Sequence, residues 1–325
     1  MKQRTDVVCF GELLIDFVAT RVGPLERAPG FLRAPGGAPA NVAVAAARLG
    51  CSSGFIGAVG DDPFGRFLRE TLRSSGVDVR GLHLSRRGST PLAFVSLRRD
   101  AERDFLFYWS DTADRRARAR DLPISLAAGG RIFHYGSISL IHASTREALG
   151  RALETARDAG ALLSCDPNLR LNLWPSREAA RRALARAVRA AHVVKVNEEE
   201  LRFLTGARSV ERGLRVLQEM SGAAVVATLG ARGAAYRWGS VEGESAGFAV
   251  RAVDTTGAGD GFAAGLLRQL AAAPGDLRAL APDAATLAGW MRYANAVGAL
   301  ATTRLGAIPA FPTAAEVARF LRRRR

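Results

Sequence analysis

Apolar positions along this chain change period repeatedly, from the 2-residue spacing of strands to the 3.6-residue spacing of helices. Residues 6 to 18 (DVVCFGELLIDFV) are rich in β-formers, and strand-like apolar runs recur at 54 to 59, 131 to 134, 161 to 165, 192 to 196 and 223 to 229. Helical patterns lie between them at 63 to 76, 144 to 159, 176 to 190 and 209 to 220, and residues 36 to 50 (GGAPANVAVAAARLG) open on glycines and continue as an alanine-rich helix. Strands alternating with helices of this length predict an α/β fold with a mainly parallel sheet covered on both faces. Two stretches break the rhythm. Residues 17 to 35 and 90 to 109 alternate apolar and polar as half-buried antiparallel strands do, with Phe105, Phe107 and Trp109 on one face. They predict a small sheet outside the main one, placed as a lid over the strand ends. With no internal repeat and no long linker, residues 1–325 read as one domain carrying this appendage.

Composition narrows the class. At 48% apolar, 24% charged and 7% aromatic residues the chain is ordinary globular. Arg48 interrupts the longest apolar candidate for a membrane span, and Asp6, Glu12 and Asp16 interrupt any signal-peptide core, so a cytoplasmic location is expected. Cys9, Cys51 and Cys165 are odd in number and far apart in apolar surroundings, which reads as buried free thiols in a reducing compartment. The four histidines lack metal-ligand spacing. A formal charge of +15 attracts polyanions, but Lys2 and Lys195 are the only lysines among 46 basic residues and the arginines are scattered. No RNA-binding or zinc-finger signature accompanies them, so a nucleic-acid partner is not expected.

The strongest chemical signal is DTTGAGDGFAAGLL at 254 to 267, an extended run opening into a helix. Gly257, Ala258 and Gly259 let an anion approach their amides and the dipole of the following helix. A dinucleotide fingerprint would need glycine where Phe262 stands, and a Walker loop would need G-x-x-x-x-G-K-[ST], which is absent. Asp260 either complements the helix dipole or removes a proton from a hydroxyl attacking phosphorus.

GGAPAN at 36 to 41 is either a tight turn with close helix packing or a site where Gly36 and Gly37 admit a ligand to Asn41, which both donates and accepts. Asp16 in an apolar strand needs hydroxyls or a cation. In KVNEEELRFLTG, Asn197 and Glu200 form a capping pair, and the three successive glutamates could also organise the water shell of magnesium. DPNLRLNLW at 166 to 174 offers Asp166, Asn168 and Arg170 at a strand end.

These motifs, with VGDDPFG at 59 to 65 and TLGARG at 228 to 233, resemble the ribokinase-like or PfkB carbohydrate kinases over nearly the whole length. The resemblance implies a Rossmann-like core with a β lid, a sugar and MgATP as ligands, Asp260 as catalytic base and Gly257, Ala258 and Gly259 as the anion hole, with Arg170 in the catalytic group. It implies sugar contacts at Asp16, Gly36, Gly37 and Asn41 and beneath the lid at Phe105 and Phe107. Asn197 and Glu200 match the magnesium element, Thr228, Gly230 and Gly233 the nucleotide loop, and Asn295 lies where relatives flank the adenine. Asp254 and Thr256 match ligands of a monovalent cation, K+, and a homodimer through the lid is implied. FHYGSISL at 133 to 140, DPNLRLNLW and AERDFLFYW look most like fructokinases. Kinases for 2-keto-3-deoxygluconate or ribose share much of the motif set. The segment SDTADRRARAR at 110 to 120 departs from the more apolar sequence such kinases carry after the lid strand.

Overall fold

The computed structural model describes residues 4–97 and 103–324, with side chains described for all of these except residues 97 and 103–105. The chain runs β1 (Thr5–Phe10), β2 (Leu14–Val22), β3 (Phe31–Gly36), α1 (Ala38–Arg48), β4 (Ser53–Gly60), α2 (Pro63–Ser74), β5 (Val77–Ser85), β6 (Leu92–Leu97), β7 (Arg103–Tyr108) and the short α3 (Ala113–Arg116). It continues with β8 (Gly130–Tyr135), α4 (Ala143–Asp158), β9 (Leu162–Cys165), α5 (Arg177–Ala190), β10 (Val193–Asn197), α6 (Glu198–Thr205), α7 (Val210–Ser221) and β11 (Ala224–Thr228). The remainder is β12 (Gly233–Trp238), β13 (Val241–Ala246), α8 (Ala258–Ala272), α9 (Ala284–Ala301) and α10 (Ala314–Arg322).

Among the described residues, nine strands form one sheet in the order β13-β12-β11-β10-β9-β8-β1-β4-β5. All neighbours are parallel except the β11–β12 and β12–β13 pairs. Burial alternates along β1: Val7 and Cys9 enter the core beneath α1, α8 and α9, while Val8 and Phe10 enter the core shared with α4, α5 and α7. That is the pleat of a strand covered on both faces. From β1 the chain winds towards β4, and from β8 it winds the other way towards β9. The strand order therefore reverses between β1 and β8, which opens a crevice at their carboxyl ends.

The second sheet has the order β3-β2-β6-β7. Residues 6 to 18, which read as one β-rich stretch, are split at Gly11–Leu13: β1 stays in the main sheet and β2 belongs to the small one. The small sheet thus begins at Leu14, earlier than the predicted 17. β5, β12, β13, α9 and α10 are not among the predicted elements. In β5, Asp78, Arg80 and His83 interrupt the apolar run, so packing against β4 overrides a weak local signal.

VGDDPFG acts structurally. Asp62 accepts the Gly65 N–H at 2.8 Å, capping α2, and also accepts from the N–H and hydroxyl of Thr90 at 2.8 Å, which ties that helix end to the approach of β6. Cys9 and Cys165 are buried, but Cys51 is only half-buried, a correction to the expectation for all three. No helix among the described residues is long and apolar enough to cross a membrane.

Candidate active site

The crevice collects residues from loops at the carboxyl edge of the main sheet. α8 begins at Ala258, and Gly257 before it is left-handed with φ +78°; a Cβ there would stand 2.8 Å from the Ala307 Cβ. This turn aims the first amides of α8 into the crevice, where they can bind an anion. Asp254 stabilises the turn: its Oδ1 accepts the Thr256 N–H and hydroxyl at 2.8 and 2.7 Å, and its Oδ2 accepts the Gly306 N–H at 2.9 Å.

Asp260, in the first turn of α8, accepts a hydrogen bond from Asn41 Nδ2 at 2.8 Å. Asn41 lies on α1, 219 residues away in the chain. α1 starts at the Gly36–Gly37 turn, and a side chain on Gly36 would collide with the Asp16 carboxylate. Asp16, Gly36, Asn41 and Asp260 therefore follow one another along a single cleft. Its apolar wall is Leu14, Ala93 and Trp109, with Phe107, Ile138 and Leu173 packed against them. The side chain of Phe105 lies outside the described residues.

A residue not among the predicted site residues completes the centre. Lys195 Nζ donates to Asp166 Oδ2 at 2.9 Å, and a Cβ added at Gly259 would stand only 3.1 Å from that same nitrogen. The ammonium thus sits beside the turn that opens α8. Burial disfavours its charge, but Asp166, Glu200 and Asp260 outweigh that effect and hold it above the usual lysine range. The available signal was a lysine inside an apolar strand (VVKVN) of a chain that otherwise uses arginine.

Asn197 and Glu200 form a complete capping box on α6, each backbone N–H bonded to the other's side chain at 2.8 Å. Glu200 Oε1 also accepts the Leu169 N–H at 2.6 Å, fixing the DPNLRLNLW loop. Burial and the nearby Asp166 push the Glu200 carboxyl up, against the pull of Lys195.

Next to the turn lies a cavity of about 530 Å³, lined by Thr228, Gly230, Gly233, Ala258, Gly259, Phe262 and Asn295 among others. That is the size of a small-molecule site. Asn295 reaches it with its amide group already engaged, donating to Ser245 O at 3.0 Å and Ala246 O at 3.2 Å. It braces the end of β13 against the cavity.

A sequence profile of the pfkB family carbohydrate kinases matches residues 4–314. The chain belongs to this family. The kinase is 49% identical over 313 residues to fructokinase-1 of Zea mays, covering 96% of each chain, and 46% identical over 322 residues to probable fructokinase-4 of Arabidopsis thaliana, covering 98% of each. Among solved structures it is similar to the fructokinase of Xylella fastidiosa with bound ATP, at TM-score 0.89 and 36% identity, covering 98% of this chain and 99% of that one. The fructokinase of Vibrio cholerae O395 with fructose, ADP and calcium ion bound gives TM-score 0.86 and 39% identity over 97% of this chain and 98% of that one.

Electrostatics in the kinase's cleft suit proton transfer. Burial pushes the Asp260 carboxyl up to about 6; the Asn41 hydrogen bond pulls it down, Asp166 adds to the rise, and Lys195 and Arg170 oppose it. A carboxylate of this kind is ionised at neutral pH and is a stronger base than an exposed aspartate. Arg170, at the start of a short helical turn, is close enough to act on this charge.

Proposed function

We propose that this carbohydrate kinase is an ATP-dependent fructokinase, transferring the γ-phosphoryl group of ATP to the terminal primary hydroxyl of D-fructose to give fructose 6-phosphate and ADP. The observation that carries the reading is the 2.8 Å Asn41–Asp260 bond, which places a base beside the Ala258 and Gly259 amides and the Lys195 ammonium. A neutral ketohexose suits a cleft that offers Asp16, Asn41 and backbone amides, whereas an acidic sugar meets Asp16 and Asp260. The fructokinase relatives support the same choice.

In this reading Asp260 takes the proton of the accepting hydroxyl as its oxygen forms the new bond to phosphorus and the bond to ADP breaks. The transferred group passes over the amides at the start of α8, and Lys195 and Arg170 offset its charge. ATP occupies the 530 Å³ cavity, with Thr228, Gly230, Gly233 and Asn295 around its base. Magnesium, when bound, neutralises charge on the transferring phosphates. The residues present suit its water shell, since the buried Asp166 Oδ1 accepts no hydrogen bond among the described residues and the Glu200 carboxylate accepts only. Asn197 and Glu200 would hold that shell, and Asp254 and Thr256 offer oxygen atoms to K+.

Coupled ADP release with purified protein over a sugar panel tests this reading. Fructose should give the highest kcat/KM, and omission of magnesium should abolish turnover. A higher value for 2-keto-3-deoxygluconate would place Arg170 on the sugar carboxylate and overturn the choice of substrate.

The unpaired cysteines fit a reducing cytoplasm. The small sheet exposes Leu32 at 61% and Tyr108 at 60%, together with Val22, Phe31 and Leu106. Phe31 and Tyr108 pack edge-on against Phe94 on one face of this sheet, with Leu106 two residues before Tyr108 on the same strand, and this exposed apolar patch supports a homodimer through the lid. Sedimentation should give twice the chain mass, and Leu106→Glu with Tyr108→Glu should reduce it to the monomer; an unchanged mass in the double variant excludes this interface.

A further inference from the structure

The loop at 110 to 120, whose sequence departs from the family pattern, packs behind the sugar cleft. Trp109, in the apolar wall, donates its indole N–H to Asp114 Oδ2 at 2.6 Å. On the other wall, Glu12 Oε1 accepts the N–H of Ala38 at 3.0 Å. Ala38 opens α1, the helix that carries Asn41 and through it orients Asp260. Two carboxyl groups thus hold Trp109 in the apolar wall and Ala38 at the start of α1.

Both also line a small cavity of about 20 Å³, with Trp109, Arg115 and His142. A single water needs roughly 10–15 Å³ and two to four polar neighbours. Four buried atoms here, Glu12 Oε2, Asp114 Oδ1, Arg115 Nε and His142 Nε2, have no hydrogen-bond partner among the described residues. Glu12 itself is only 4% exposed, so bulk solvent does not supply the missing bonds. The groups also sense one another electrostatically. Burial pushes Glu12 up to about 7, with Asp260 and Asp114 adding to the rise, and burial raises Asp114 as well.

We propose that Glu12 and Asp114 are positioning residues that share one ordered water in this cavity and thereby hold the lid wall and the base wall of the sugar cleft at a set separation. The water donates to the two carboxyl oxygens and accepts from the Arg115 and His142 side, which satisfies atoms that would otherwise be costly to bury. This rests on the reading of the cleft as the sugar site.

A double-mutant cycle tests it. Glu12→Ala and Asp114→Ala should each raise KM for the preferred sugar of the panel roughly tenfold, the effect of one buried group losing its partner, and leave KM for ATP unchanged. Glu12→Gln, whose amide oxygen still accepts from Ala38, should recover most of the loss. Because both residues share one water besides their own direct bonds, the double variant should lose less than the two single losses combined, in KM and equally in Tm. Where the alanine variants do not fold, Glu12→Met and Asp114→Leu, which keep the volume and cannot bond the water, carry the same cycle. Additive losses, or equal rises in both KM values, overturn the pair. If the wild type turns over no sugar, the sugar reading fails, and the Tm cycle still decides whether the two residues are coupled.

Discussion

Asp260→Asn is expected to fold, to bind ATP as the wild type does, and to lose roughly 10² to 10⁴ in kcat, the usual contribution of a positioned general base. Asparagine preserves the volume and still accepts from Asn41 Nδ2, so the 2.8 Å contact has no steric reason to break. What it loses is the capacity to take the proton. The pH profile provides an independent check with a definite sign. Because Asp260 is raised to about 6 and works as the carboxylate, kcat/KM of the wild type should be full above that pH and fall about tenfold per unit below it. The falling limb should vanish in Asp260→Asn. Near wild-type turnover, or an acid limb that survives the substitution, would leave Asp260 with only its helix-dipole role.

Lys195→Met carries the second large effect. Its ammonium stands at the mouth of the anion-binding turn, and removal of one donor to developing phosphoryl charge should cost roughly 10² to 10³ in kcat. The same change strands Asp166, only 4% exposed, without its cation. Breaking a buried pair on one side costs about 3–5 kcal/mol, so a lower Tm is expected too. Lys195→Met with Asp166→Asn separates the two consequences. Removing both charges should restore most of the Tm while kcat stays low. Recovery of turnover along with stability in the double variant would show that Lys195 serves the fold and not the reaction.

The outcome at Lys195 bears on how the site could be read. A lysine in an apolar strand looks like a local irregularity, and only the register of β9 against β10 brings it to Asp166 and, across the crevice, to Gly259. Glu12 is similar. It stands in a β-rich run that reads as continuous, yet the chain leaves the main sheet there, and its carboxylate accepts the N–H of Ala38 at the start of α1.

The sequence by itself determined the alternation of parallel strands and helices, the helix-opening glycine turn before Asp260 and the capping pair at Asn197 and Glu200. Each of these is written in a window of a few residues, as burial period, backbone freedom or a side chain that reaches its own helix end. Tertiary structure decided the rest: the split of residues 6 to 18 between two sheets, the antiparallel edge of β12 and β13, the Asn41–Asp260 bond across 219 residues, and the meeting of Asp16 with Gly36. The physical reason is that periodicity reports which face of an element is buried but not what buries it. Strand partners and register are chosen by packing and hydrogen bonding between segments distant in the chain, and a cleft built from such segments exists only after that choice is made.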